Sequence, residues 1–233
     1  MTFSRQQIIG VIVGVVIVVV AVYGIWLVAN PANPYKGLVT DRPTGMDEAT
    51  REYFEQRLAT TMAAIEAAEA SGEEVNLDFY LSAASDAYSL GDLVTTREML
   101  EKQLEGNSIN FVAWNNYALV LEDMGDYENA EVAFRKTLEI ESGIEKYYVD
   151  YTDFLLAHFP ERREDLKTLI ETNLELGGQT VWNMVALGDW YALEGKCDKA
   201  VDHYEVAVVL EPTNQALKDD MATLKKTCQE KDE

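Results

Sequence analysis

The chain has 233 residues, 48% of them hydrophobic, which excludes an intrinsically disordered chain and suffices for one sizeable core. Its 41 acidic residues against 19 basic ones give a formal charge of −22. That balance excludes a surface suited to nucleic acid or anionic lipid headgroups and leaves a basic, neutral or apolar protein segment as the compatible partner.

Residues 1–7 form a short amino-terminal tail carrying Arg5, and residues 8–29, "IIGVIVGVVIVVVAVYGIWLVA", contain no charge. As a helix this stretch reaches about 33 Å, against a hydrocarbon core of about 30 Å. It therefore reads as a single transmembrane anchor, with Tyr23 and Trp26 near the end where amphipathic rings prefer the headgroup level. The rival is a cleaved signal peptide. Against it, the stretch exceeds the roughly 7–15 residues of a signal h-region, and Leu27 stands where a cleavage site wants a small residue. Gly10 and Gly14 form a G-x-x-x-G spacing that lets two such helices approach, so they are candidates for a helix–helix contact in the membrane.

Residues 30–43 combine prolines and glycine without helical period and read as an extended linker holding the next domain off a bilayer. Thr44 and Asp47 then supply a helix start signal, and Phe54, Leu58, Met62 and Ile65 follow at helical spacing. This predicts one long amphipathic helix over 44–72.

From Leu77 the pattern repeats. Gly91, Gly125 and Gly195 recur at intervals of 34 and 70 residues, and the Phe159-Pro160 pair supplies the missing stop, because proline ends a helix. Four helix-turn-helix units follow, near 77–110, 111–144, 145–180 and 181–214. Residues 215–233 then place Leu217, Met221, Leu224 and Cys228 on one face, as the capping helix and tail of a solenoid require. Within the fourth unit, "LGDWYALEGKCDKA", the small residues Gly188 and Ala200 let two helices cross closely, while Gly195 turns the chain between them.

A helix pair of about 34 residues is the length of a tetratricopeptide repeat, and unit four resembles that family in Leu187, Gly188, Tyr191, Ala200, Tyr204, Ala207 and Pro212. Unit two is similar through Trp114, Ala118, Leu121, Ala130 and Phe134, and unit one through Tyr80, Ala84, Ala87, Gly91 and Leu100. Unit three keeps the helix pair and almost none of the signature. The resemblance covers roughly residues 77–214 and implies an all-α, right-handed α-solenoid of about four units plus capping helix, preceded here by the transmembrane helix.

The resemblance also implies a concave partner-binding face built from fixed positions of each unit's first helix. These are Asn115, Asn116, Leu119, Glu122 and Asp123 in unit two, Lys146, Val149, Asp150 and Asp153 in unit three, and Trp182, Val185 and Asp189 in unit four. An extended peptide there would offer its backbone to the asparagine amides and basic side chains to the carboxylates. The rival for Trp182 is simple packing on unit three. The clamp subtype that binds acidic chaperone tails is excluded, since Leu81 and Ser85 stand where that clamp places Lys and Asn.

Nothing in the sequence points to catalysis, a metal or a cofactor: His158 and His203 lie in different units without neighbouring ligands, and no phosphate loop or nucleophile elbow occurs. Cys197 opens the second helix of unit four and Cys228 ends the capping helix, so they either form a disulfide or remain two buried thiols. Counting Lys36 and Arg42 against Arg5 leans toward a cytoplasmic domain. Resemblance to anchored bacterial repeat proteins, and the possible disulfide, favour an extracytoplasmic domain on an inner membrane. The expectation is therefore a single-pass membrane scaffold or chaperone-like adaptor, with a structural subunit of a stable membrane complex as the alternative.

Overall fold

The computed structural model describes residues 33–230. Among these no helix is long and apolar enough to cross a membrane. The expected single-pass inner-membrane localisation with an extracytoplasmic domain is corrected accordingly. The stretch 8–29 on which it rested, with Gly10 and Gly14, lies outside the described residues.

Contacts divide the chain at Leu38 into two units. Of the first, residues 33–38 make a tight turn in which Lys36 N–H donates to Asn33 O at 3.2 Å and Leu38 N–H to Tyr35 O at 3.0 Å. Gly37 takes φ +86° there.

The second unit contains ten helices among the described residues: α1 (Glu48–Ser71), α2 (Leu77–Leu90), α3 (Leu93–Gly106), α4 (Phe111–Met124), α5 (Tyr127–Ile140), α6 (Glu145–His158), α7 (Arg163–Gly177), α8 (Val181–Leu193), α9 (Cys197–Leu210) and α10 (Gln215–Gln229). Each packs principally on the helix before and the helix after it. That is the contact pattern of a stacked repeat, in which neighbours alone bury one another's apolar faces. Thus α2/α3, α4/α5, α6/α7 and α8/α9 are the four units, with α1 covering one end and α10 the other.

Local chemistry explains the helix boundaries. Asp47, not Thr44, caps α1: its Oδ1 accepts from Thr50 N–H at 3.0 Å, while Thr44 Oγ1 accepts from Arg51. Asn76, Asp92, Asn110, Thr180 and Asn214 cap five further helices in the same manner. The turns after α2 and α4 need a left-handed residue, supplied by Gly91 at φ +84° and Gly125 at φ +81°. The turn between the two helices of unit three has no such glycine. Phe159 leaves α6 at φ −137°, and residues 159–162 make a longer connection.

Residues 39–43 are not a free linker. Val39 N–H donates to Met124 O at 2.9 Å, Leu93 N–H to Thr40 O at 3.0 Å, and Arg42 N–H to Gly91 O at 2.8 Å. This strap takes up carbonyls at the ends of α2 and α4 and the first amide of α3 that a solenoid would otherwise leave to water. The end helix α1 is tied down by burial of Ile65 and by Arg57, whose guanidinium lies 3.0 Å from the Asp86 carboxylate on α2. Asp86 is only 1% exposed, and burial raises its pKa, the nearby guanidinium opposing.

The crossings within units are built on small residues: Ala84, Ala118, Ala130 and Ala200 are all buried. Thr96 and Thr137 stand at two positions where alanine is usual, and each satisfies its hydroxyl within its own helix, on Asp92 O at 2.6 Å and on Ala133 O at 3.0 Å. Gly188 has the tightest crossing in unit four, because a Cβ there would sit 2.6 Å from Tyr204 Cδ2 and 2.8 Å from Cε2. That ring cannot swing away freely, since Tyr204 Oη donates to Asp189 Oδ1 at 2.6 Å. Gly188→Ala should gain about 1 kcal/mol of helix propensity and lose about 2–3 kcal/mol to overpacking. The expected net effect is a thermal midpoint a few degrees lower, measured by circular dichroism.

Units two and three are joined by a charged cluster beside the aromatic core. Arg162 makes a two-pronged contact with Glu131, Nη1 to Oε2 at 2.8 Å and Nη2 to Oε1 at 2.9 Å, and Arg135 and Tyr151 also donate to Oε1. Hydrogen bonds from Arg162, then those from Arg135 and Tyr151, outweigh burial and hold the Glu131 pKa at about 2. A carboxyl depressed in the folded state stabilises it fully above the ordinary carboxylate range and loses that contribution as pH falls toward 2. Glu131→Gln should therefore cost about 2–3 kcal/mol at pH 7. In urea titrations the gap between it and the parent chain should close by about pH 2. Asp86 works with the opposite sign, since its raised pKa makes the ionised form the costly one.

Candidate partner-binding face

Several residues expected on the concave face are buried or paired within the array. Asn115 is 2% exposed, and its amide Nδ2 donates across the unit boundary to Asp150 Oδ2 at 2.8 Å. Asp150 also holds Lys146. Asn115 thus ties α4 to α6 through a carboxylate 35 positions away, while its own Oδ1 is buried without a hydrogen-bond partner.

Asp123 is likewise engaged. Arg42 Nη1 donates to its Oδ2 at 3.1 Å and to Tyr88 Oη at 3.1 Å, Nη2 donates to Tyr88 O at 3.1 Å, and the guanidinium carbon stands 4.2 Å above the Tyr88 ring. Beside this clamp a cavity of about 130 Å³ opens between α2 and α4, lined by Ala84, Ser85, Tyr88, Leu100, Asn116 and Leu119. Asn116 is exposed on its wall. Glu122 faces His158, whose Nε2 lies 2.8 Å from Glu122 Oε1 while its ring stacks on Tyr127 at 4.0 Å. His203 stacks in turn on Tyr191. Both imidazoles are packing groups.

Units three and four bring together the remaining expected residues. Asp153 from α6 and Trp182, Val185 and Asp189 from α8 line one cavity of about 140 Å³. Its floor is Leu166 and Ile170 of α7, and Leu156 borders it from α6. The elements that set this geometry are rigid. Asn183, fully buried, donates to Gly178 O at 2.9 Å and accepts from Asn173 Nδ2 at 2.9 Å, fixing the start of α8 against α7. Trp190 Nε1 donates to Arg163 O at 2.8 Å.

Two carboxylates on an apolar wall are electrostatically uncomfortable. Burial raises the pKa of Asp153, with Asp150 adding to it. Burial also raises that of Asp189, against the Tyr204 hydrogen bond and with Asp220 reinforcing. The described residues show no ion pair to either. Thr152, in the same cavity, is 3% exposed with an Oγ1 that has no hydrogen-bond partner. It escaped the sequence reading because it occupies the small-residue position of α6, where a packing role is the default. Tyr88 was missed although it holds in α2 the register that Glu122 holds in α4.

Among the described residues no group of three or more His, Cys, Asp and Glu side chains is arranged to hold a metal ion. Cys197 and Cys228 are joined in a disulfide, Cα atoms 5.7 Å apart, pinning the start of α9 to the end of α10.

No protein-family model and no curated protein matches the sequence. Solved structures do match its fold. The C-terminal part of a TPR repeat-containing protein from Cytophaga hutchinsonii superposes with a TM-score of 0.57 at 19% identity, covering 70% of this chain and 64% of that one. YrrB, described as a TPR protein with an unusual peptide-binding site, gives 0.54 at 18% identity over 72% and 85% of the two chains. MamA from Desulfovibrio magneticus gives 0.54 at 16% identity over 66% and 89%. The chain has the tetratricopeptide-repeat fold. At these identities the likeness establishes that fold alone. Within it, Thr152 sits where Ala84, Ala118 and Gly188 stand in the other units, so the groove between units three and four differs from the other crossings at its base.

Proposed function

We propose that the chain is a non-catalytic binding module that holds an extended segment of a protein partner in the concave face of its tetratricopeptide-repeat fold. The observation that carries the reading is the cavity between α6 and α8, where Asp153 and Asp189 stand without cationic partners around an apolar wall formed by Trp182, Val185 and Leu156. Such a wall desolvates a ligand side chain and gives its contacts weight, while the carboxylates select basic or neutral segments over acidic ones. YrrB, a neighbour by fold, is described with a peptide-binding site, and that supports the reading by analogy. The net charge of −22 favours the same partner chemistry through long-range attraction.

The test is an array of degenerate peptides probed with the full chain and with two variants. Trp182→Ala removes a partly buried aromatic wall of the groove and should weaken peptide capture by about ten-fold or more, an energy of about 1.4 kcal/mol. Asp153→Lys should redirect capture from basic toward acidic peptides. Retention of the parent binding pattern by both variants, with unchanged far-ultraviolet circular dichroism, would place any binding elsewhere on the molecule.

A further inference from the structure

Arg42 is a basic side chain already seated against the concave positions of units one and two. Arg42 shows what that face accepts: a guanidinium laid over an aromatic ring, one N–H on a carboxylate and others on neutral oxygens of Tyr88. The cavity between units three and four offers the same set of groups with nothing in it from the described residues: the indole of Trp182, the carboxylates of Asp153 and Asp189, and the hydroxyl of Thr152.

Thr152 is the independent observation. Three threonines occupy small-residue positions at helix crossings, and two of them, Thr96 and Thr137, donate to a carbonyl four residues back. Thr152 does not, and its oxygen is buried without a partner. A buried hydroxyl left in that state costs stability unless something satisfies it. Of the three threonines, it alone borders the cavity that holds Asp153 and Asp189.

We infer that this cavity is a receptor for one arginine side chain of the bound segment, its guanidinium stacked on Trp182 and donating to Asp153, Asp189 and Thr152 Oγ1. Arginine fits better than lysine because a planar fork can stack and bond several acceptors at once, while its weaker hydration lowers the cost of entering an apolar site. The aliphatic stem would lie along Leu156, Val185 and Ala186, which line the same cavity. The partial desolvation that raises both pKa values, though Asp153 and Asp189 keep solvent exposure, is offset once a cation stands between them.

The inference rests on the peptide-binding reading, and its test separates the two. Pentapeptide pools acetyl-X-X-Z-X-X-amide, with Z fixed as arginine, citrulline or leucine, are titrated against the full chain and against the Asp153→Asn/Asp189→Asn double variant. Citrulline keeps the shape of arginine and removes its charge. The arginine pool should bind about ten-fold or more tighter than the citrulline pool. In the double variant that ratio should fall to within about two-fold while binding of the leucine pool is unchanged. Equal binding of the arginine and citrulline pools by the parent chain overturns the arginine subsite and leaves the peptide reading standing. So does a ratio that survives in the double variant. Absence of binding by every pool overturns both. The ratio measured on the parent chain decides the matter even where the double variant folds poorly.

Discussion

Phe154→Ala lowers the stability of the repeat domain by about 3–5 kcal/mol, the largest effect expected of any single core truncation here. Phe154 is 0% exposed and stands at the hub of an aromatic cluster. Its ring centroid lies 5.1 Å from Phe134, 5.2 Å from His158, 5.6 Å from Phe159 and 6.3 Å from Tyr151. The cluster joins α5 of unit two to α6 of unit three and continues into Ala118, Leu121 and Leu155. Truncation removes the transfer energy of the ring and leaves a void between two helices held apart by Tyr151 and Phe134, so little of the loss is recovered by collapse. In a linear array each unit is stabilised mainly by its neighbours, and weakening this boundary should split one cooperative transition into two. Urea denaturation followed by tryptophan fluorescence, which reports Trp114 in unit two and Trp182 and Trp190 in unit four, checks both claims. A single transition with an unshifted midpoint would show that the cluster is not the link between the halves.

Removing the disulfide by the paired change Cys197→Ser/Cys228→Ser should cost roughly 3–4 kcal/mol, because the bond closes a loop of 31 residues and restricts the unfolded chain accordingly. For a domain of this size that is roughly a 10 °C fall in thermal midpoint. The bond also carries a local share. Helix α10 buries only Leu217 and Cys228 fully, with Met221 and Leu224 partly covered, and is otherwise held by Lys225 on Glu205 at 2.8 Å. In hydrogen exchange the α10 amides should lose protection first on reduction, while those of α4 and α5 keep theirs. Uniform loss across all units would mean that the cap and the solenoid unfold as one.

The helix-pair architecture was legible because sterics force it. A crossing that admits no side chain, such as Gly188 against Tyr204, or a turn that needs positive φ, such as Gly91, leaves a residue that can be read without knowing its neighbours. Unit three shows why the rest was harder. Its turn uses Phe159-Pro160, its crossing carries Thr152, and aromatic rings replace the small-residue signature, so only the helical period survives.

Partnerships across the array were not legible at all. Asn115 and Asp150 are 35 residues apart, Arg42 and Asp123 are 81 apart, and no spacing rule connects them. Counting register positions could therefore name Asp153, Trp182, Val185 and Asp189 together. It could not tell that Asn115 is consumed by a neighbour, or that residues 39–43 are strapped to the array.

That strap has a mechanical consequence. Tension applied to the chain ahead of Val39 enters the domain through the Val39–Met124, Leu93–Thr40 and Arg42–Gly91 backbone bonds and the Arg42 clamp on Tyr88 and Asp123. Helix α1 follows the strap in sequence and bears no load until those bonds part. The strap is thus a strain relief: a tug on the amino-terminal segment is delivered to the first two units, sparing the end helix that shields them from water.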